Sequence, residues 1–138
     1  MAHCANRFGI FVLAALAVLL VAGASAQAEE AGAKPVIAKI HADWCGTCTK
    51  LNPTMVELEK RVGDEAIVVN LDVSDKDAVA RSAAEADRLG IRKFFDAYKS
   101  KTGTVGIIDA DGKIVQIYKG ELDVDKYVSA LERAEKEA

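Results

Sequence analysis

The sequence predicts an α/β fold, a central mixed β-sheet flanked by helices on both faces. Three observations predict it. Short β-branched runs alternate with segments of helical periodicity, in the order β-α-β-α-β-β-α. The first two strands are joined through a helix, which makes them a parallel pair. The last two are joined by a tight turn carrying Asp111-Gly112, which makes them antiparallel. The chain has 138 residues, about the length of one domain.

The first strand is read over Pro35 to Ala42, "PVIAKIHA". Proline is tolerated there because only one ladder donor is lost at a strand start. A helix is predicted over Cys45 to Gly63, with Leu51, Met55, Leu58 and Val62 on one apolar face. Gly63 stops it, and Pro53 inside it removes one donor and should kink it. "AIVVNLDV", Ala66 to Val73, is almost continuously apolar and reads as a central strand buried on both faces. The next helix starts at a Ser74 or Asp75 cap and stops at Gly90. "IRKFFDAYKSK" is ambiguous and is read as a short helix that packs Phe94 or Phe95. Thr104 to Asp109 and Lys113 to Gly120 form the hairpin strands. The C-terminal helix carries an apolar stripe of Val124, Tyr127, Val128 and Leu131.

Residues 1–26 read differently. A short polar start with Arg7 precedes an apolar run from Phe8 to about Gly23, and Ala24 to Ala26, "ASA", offers small residues for cleavage. This is the secretory leader pattern. The run is roughly 16 residues, short for a comfortable membrane span; a retained anchor facing the periplasm is the alternative. Cleavage after Ala26 leaves a linker, residues 27–34, and a domain, residues 35–138. Export implies a periplasmic location and an oxidising compartment. Half of the chain is apolar and the net charge is −3. No Lys/Arg block is long enough to follow a phosphate backbone, which excludes nucleic acid as a partner.

The whole chain has three cysteines and two histidines. Cys4 and His3 leave with the leader, so the exported chain keeps Cys45, Cys48 and His41. The two cysteines could be redox partners, half of a metal site or a structural staple. Structural zinc wants four ligands, and this chain offers two thiolates and one imidazole. A staple across two intervening residues would constrain little chain entropy. Redox use fits better. Cys45 lies where a strand ends and a helix begins, where unpaired N–H groups and the helix dipole favour a thiolate. Cys48 follows one turn later, within reach of a short disulfide. Gly46 and Thr47 keep the intervening turn small and uncharged.

"ADWCGTC", with Pro53 five residues after Cys48, resembles the active-site segment of the thioredoxin family, whose usual form is W-C-G-P-C. The element order from Pro35 onward also matches, and "IIDADGKIVQIYKG" is similar to the hairpin of exported thioredoxin-like proteins. The resemblance implies a thioredoxin-like fold, Cys45 as attacking and Cys48 as resolving cysteine, and Trp44 as a shield for the pair. The chain departs from the family in three places. Gly103 stands where the family has a cis-proline facing the cysteines, Lys39 stands where many members bury an aspartate, and Thr47 replaces the proline between the cysteines. If Lys39 faces the sulfurs, its ammonium favours the thiolate further.

The expected function is thiol–disulfide exchange on exported protein disulfides or dithiols, more as a reductase than an oxidase, because "CGTC" holds no histidine to stabilise the reduced thiolate strongly. No cofactor and no resident metal are expected. Partners would be the protein substrate and a membrane electron donor, and the chain would act as a monomer. Contact with the membrane itself follows only if the leader is retained. The alternative is a Cu(I) carrier or metallochaperone that uses the same pair, with His41 as a candidate third donor, since soft thiolates suit Cu(I).

Overall fold

The computed structural model describes residues 34–137. The predicted leader, Cys4, His3 and all of the predicted linker except Lys34 lie outside the described residues. The elements run β1 (Val36–His41), α1 (Gly46–Val62), β2 (Ile67–Asp72), α2 (Lys76–Arg88), α3 (Arg92–Tyr98), β3 (Thr104–Ile108), β4 (Ile114–Lys119) and α4 (Val124–Glu137). They form a four-stranded sheet in the order β2-β1-β3-β4. β1 pairs with β2 in parallel and with β3 antiparallel, and β3 pairs with β4 antiparallel. The mixed sheet and every predicted element are present.

The pleat of β1 divides its side chains between two cores. Ile37 joins Leu51, Met55, Leu58 and Val62 of α1 and Tyr127, Ala130, Leu131 and Ala134 of α4. Val36, Ala38 and Ile40 face the other way, onto Ala86 of α2 and Phe94 and Phe95 of α3. Helices therefore cover both faces. Both phenylalanines of the ambiguous segment are buried, as are all four residues of the predicted α1 stripe.

One expectation is corrected. β2 is an edge strand, not a central one, because β3 takes the other side of β1. Ile67, Val68 and Val69 are only half buried and Asn70 is exposed. Its apolar run arose because helices cover both its faces: Val68 packs on the α1/α4 side, Ile67 and Val69 on the α2/α3 side. Hydropathy reports how the faces of a strand are covered and says nothing of its lateral neighbours.

Local chemistry explains the boundaries. α2 starts at Asp75, whose carboxylate accepts from the Ala78 N–H at 2.8 Å. Of the two candidate caps, Asp75 does this and Ser74 serves elsewhere. The β3–β4 turn is closed by Asp109, which accepts from the N–H groups of Asp111 and Lys113, while Gly112 takes φ +80°. No helix among the described residues is long and apolar enough to cross a membrane.

Candidate active site

Four residues turn the chain from β1 into α1. The Cys45 N–H donates to the Ala42 carbonyl at 3.1 Å, so Asp43 and Trp44 form the tip of a tight turn. Cys45 is the N-cap of α1, in extended conformation. Its Sγ accepts from the Cys48 N–H at 3.1 Å, one of the first-turn donors that a helix leaves unpaired. Cys45 and Cys48 are joined as a disulfide with their Cα atoms 5.2 Å apart. Cys45 is 7% exposed and Cys48 is fully buried at 0%. An approaching reagent meets Cys45 first. Cys48 Sγ lies 3.6 Å from the Ile40 carbonyl, an acceptor for its proton once the bond is opened.

The pair packs against Ala42 and Val73. The indole of Trp44, next to Cys45, is 69% exposed. A Cβ on Gly46 would meet nothing within 4 Å. Opposite stands Gly103, at φ +79°. A Cβ there would lie 2.9 Å from Thr47 Cγ2 and 3.9 Å from Cys45 Sγ, so Gly103 does face the cysteines. Its N–H donates to the Ile40 carbonyl at 2.9 Å and its carbonyl accepts from Gly120 at 3.1 Å. No described peptide bond is cis. Gly120 also approaches Thr47, and nothing in its local sequence marked it as part of the site.

Lys39 is buried, 1% exposed, on the face of β1 that looks at α1. Its Nζ donates to Asn52 Oδ1 at 2.7 Å, in a cleft of about 280 Å³ that Glu59 and Asn70 also line. The ammonium is thus engaged by α1, and burial lowers its pKa. Pro53, exposed in the third turn of α1, lines a separate outer groove with Thr49, Asn52 and Val56. It lies inside the helix that carries the pair. His41 Nε2 lies 3.6 Å from Asp43 Oδ1. Among the described residues no three His, Cys, Asp or Glu side chains are grouped to hold a metal ion, so His41 does not stand with the cysteines as a third ligand.

A further pair borders the site. Asp43 donates its N–H to Ser74 Oγ at 2.9 Å, and Ser74 in turn donates to Asp72 Oδ1 through both its hydroxyl and its N–H. These bonds hold the Asp72 carboxyl below the usual carboxylate range. The bond from Asp43 to Ser74 links residues 31 positions apart, and only the fold brings them together.

The family model described as Thioredoxin matches residues 21–133. The chain belongs to the thioredoxin family. Among curated members it is 35% identical over 72 residues to thioredoxin from Geodia cydonium, covering 52% of this chain and 63% of that protein. It is 25% identical over 105 residues to chloroplastic thioredoxin Y of Oryza sativa, covering 76% of this chain and 54% of that one. The chain thus spans between about half and two thirds of the length of these thioredoxins. Among solved structures it resembles the exposed lipoprotein thioredoxin Etrx1 of Streptococcus pneumoniae, at TM-score 0.55 and 21% identity over 77% of this chain and 89% of that one. It also resembles the thioredoxin of Fasciola hepatica, at TM-score 0.52 and 23% identity over 76% of this chain and 85% of that one. At these identities the structures speak for the thioredoxin fold alone.

Proposed function

We propose that this thioredoxin-family chain is a thiol–disulfide oxidoreductase that reduces disulfides of exported proteins through Cys45 and Cys48. The observation that carries this reading is the Cys48 N–H held on Cys45 Sγ at the start of α1. Reduced, Cys45 there is a stabilised thiolate, and the thiolate is the attacking form. It attacks one sulfur of a substrate disulfide. That bond breaks, a mixed disulfide forms at Cys45, and the departing substrate thiolate takes up a proton. Cys48 then loses its proton, attacks Cys45 Sγ and re-forms the internal disulfide, which releases the second substrate thiolate. Two electrons pass from the pair to the substrate, and a membrane electron donor restores the dithiol.

The other predicted residues take supporting roles in this reading. Gly46 and Thr47 keep the approach to Cys45 narrow but open. Gly103 and Gly120 supply backbone, not side chains, to the surface opposite. Exposed Trp44 shields the pair once a substrate covers it. Lys39 precedes Ile40, whose carbonyl meets Cys48, and ties β1 to α1 through Asn52. Pro53 sets the course of α1. The protein works as a monomer in the periplasm, by way of the leader read in residues 1–26.

The test is turnover of insulin disulfides, together with equilibration in glutathione buffers. The reading expects catalysed reduction that is lost in Cys45→Ala. A pair that becomes disulfide-bonded only under strongly oxidising buffers reverses the direction to oxidase. A Cu(I) carrier is the competing reading, favoured by one observation: Gly103 puts no side chain over Cys45. Tight anaerobic Cu(I) binding by a protein inactive on insulin would favour it instead.

A further inference from the structure

The turn that carries Trp44 and Cys45 has its own N–H groups to satisfy. Cys45 uses the Ala42 carbonyl. Asp43, at the tip, reaches across to the β2–α2 loop, where Ser74 Oγ accepts at 2.9 Å. A serine hydroxyl rotates freely unless its proton is committed. Here it is: the hydroxyl donates to Asp72 Oδ1 at 2.5 Å, which leaves an oxygen lone pair for Asp43. The Ser74 N–H, also on Asp72 Oδ1, fixes the backbone of the same residue. Between these two, Val73 donates its N–H to the His41 carbonyl at 2.8 Å and packs its side chain on the cysteine pair. Three consecutive residues, Asp72 to Ser74, therefore bracket the turn from outside. Ser82 Oγ of α2 donates to the Asp72 backbone carbonyl at 2.8 Å, apart from the carboxylate that orients Ser74.

We propose that Ser74, oriented by Asp72, is a positioning residue for the nucleophile: it holds the turn from Ala42 to Cys45 in the register that keeps Cys45 Sγ on the Cys48 N–H. This deepens the reading of Cys45 as a reactive thiolate and rests on it. Without the Ser74 acceptor, Asp43 turns its N–H to water and the turn loosens. Cys45 Sγ then leaves its helix-start donor for part of the time, and the thiolate loses a hydrogen bond that the thiol does not need. Ser74 touches neither sulfur, so its effect passes through the backbone alone.

The experiment follows the rate of Cys45 alkylation by iodoacetamide against pH in the reduced full chain, with peptide mapping. Wild type is compared with Ser74→Ala, Ser74→Thr and Ser82→Ala. Ser82→Ala removes a hydrogen bond to the same loop without touching the turn. The expected result is a midpoint raised by roughly one pH unit in Ser74→Ala, about a tenfold loss of thiolate at neutral pH, with recovery in Ser74→Thr and no shift in Ser82→Ala. A wild-type profile in Ser74→Ala overturns the proposal, and so do equal shifts in Ser74→Ala and Ser82→Ala, which would reduce Ser74 to general support of the loop. Should Ser74→Ala not fold, Asp72→Ala frees the hydroxyl to rotate: a raised midpoint supports the role and an unchanged one refutes it. Insulin turnover of the wild type separates the two readings. A protein that shows the predicted midpoints without turnover loses the proposed function and keeps the positioning.

Discussion

The backbone nitrogen of Cys48 lies 3.1 Å from the sulfur of Cys45, so Cys48 hydrogen-bonds Cys45 through its main chain and bonds it covalently through its side chain. The two roles separate on substitution. Cys48→Ala keeps the N–H and so keeps Cys45 reactive, but it cannot resolve. Substrate should then accumulate as a mixed disulfide at Cys45, visible on non-reducing gels and by mass spectrometry. Cys45→Ala should trap nothing, and turnover should fall to background in both variants.

Gly103→Ala is expected to lower both stability and turnover. A side chain at positive φ costs about 1–2 kcal/mol, and the new methyl would lie 2.9 Å from Thr47 Cγ2. Thr47→Ser removes that methyl partner. The double variant should therefore recover part of the loss in a denaturant titration, while the backbone cost stays. Strict additivity of the two changes would contradict the contact.

Gly106→Ala probes the sheet under the site. A Cβ there would lie 2.8 Å from Phe94 Cδ2 and 3.0 Å from Cζ, and nearer still to Cε2. Phe94 is itself buried and cannot swing away. Overpacking of this kind costs about 1–3 kcal/mol. Phe94→Leu should relieve it, so the double-mutant cycle should show coupling between the two sites. Independent effects would contradict the packing of α3 on β3.

Lys39 links stability to alkaline pH. Its pKa is lowered by burial, so the folded chain gives up this proton before the unfolded chain does. Between the lowered value and the ordinary one, about 10.4, the unfolded state binds more protons and this group makes stability rise with pH. Below the lowered value the cost of the buried charge is present in full. Lys39→Met removes that cost. Its gain over wild type in urea midpoint should be largest near neutrality and shrink as the pH approaches 10. A gap that does not change with pH would contradict the lowered pKa.

Much of this was legible in the sequence, for physical reasons. The α1 stripe was readable because Leu51, Met55, Leu58 and Val62 share one face whatever the partner. The cysteines were readable because their spacing and their place at a strand end depend only on local chain. What depends on packing between distant segments was not. β2 looked central because helices cover both its faces, whereas its edge position depends on where β3 docks. Lys39 could be placed on β1 but not aimed, and its partner Asn52 comes from α1. Gly120 and Ser74 reach the site only across the fold, so no local pattern marked them. Trp44 was read as a shield for the pair; how much of its indole meets solvent, 69%, depends on the fold around the turn.

The central claim is that Cys45 is a thiolate stabilised at the start of α1, with Cys48 buried behind it. The most direct measurement is the pH dependence of alkylation in the reduced protein, resolved by residue. Cys45 should react first, with a midpoint clearly below that of a free cysteine, about 8.5, while Cys48 stays slow across the range. Faster reaction at Cys48, or a Cys45 midpoint at or above the free value, would contradict it.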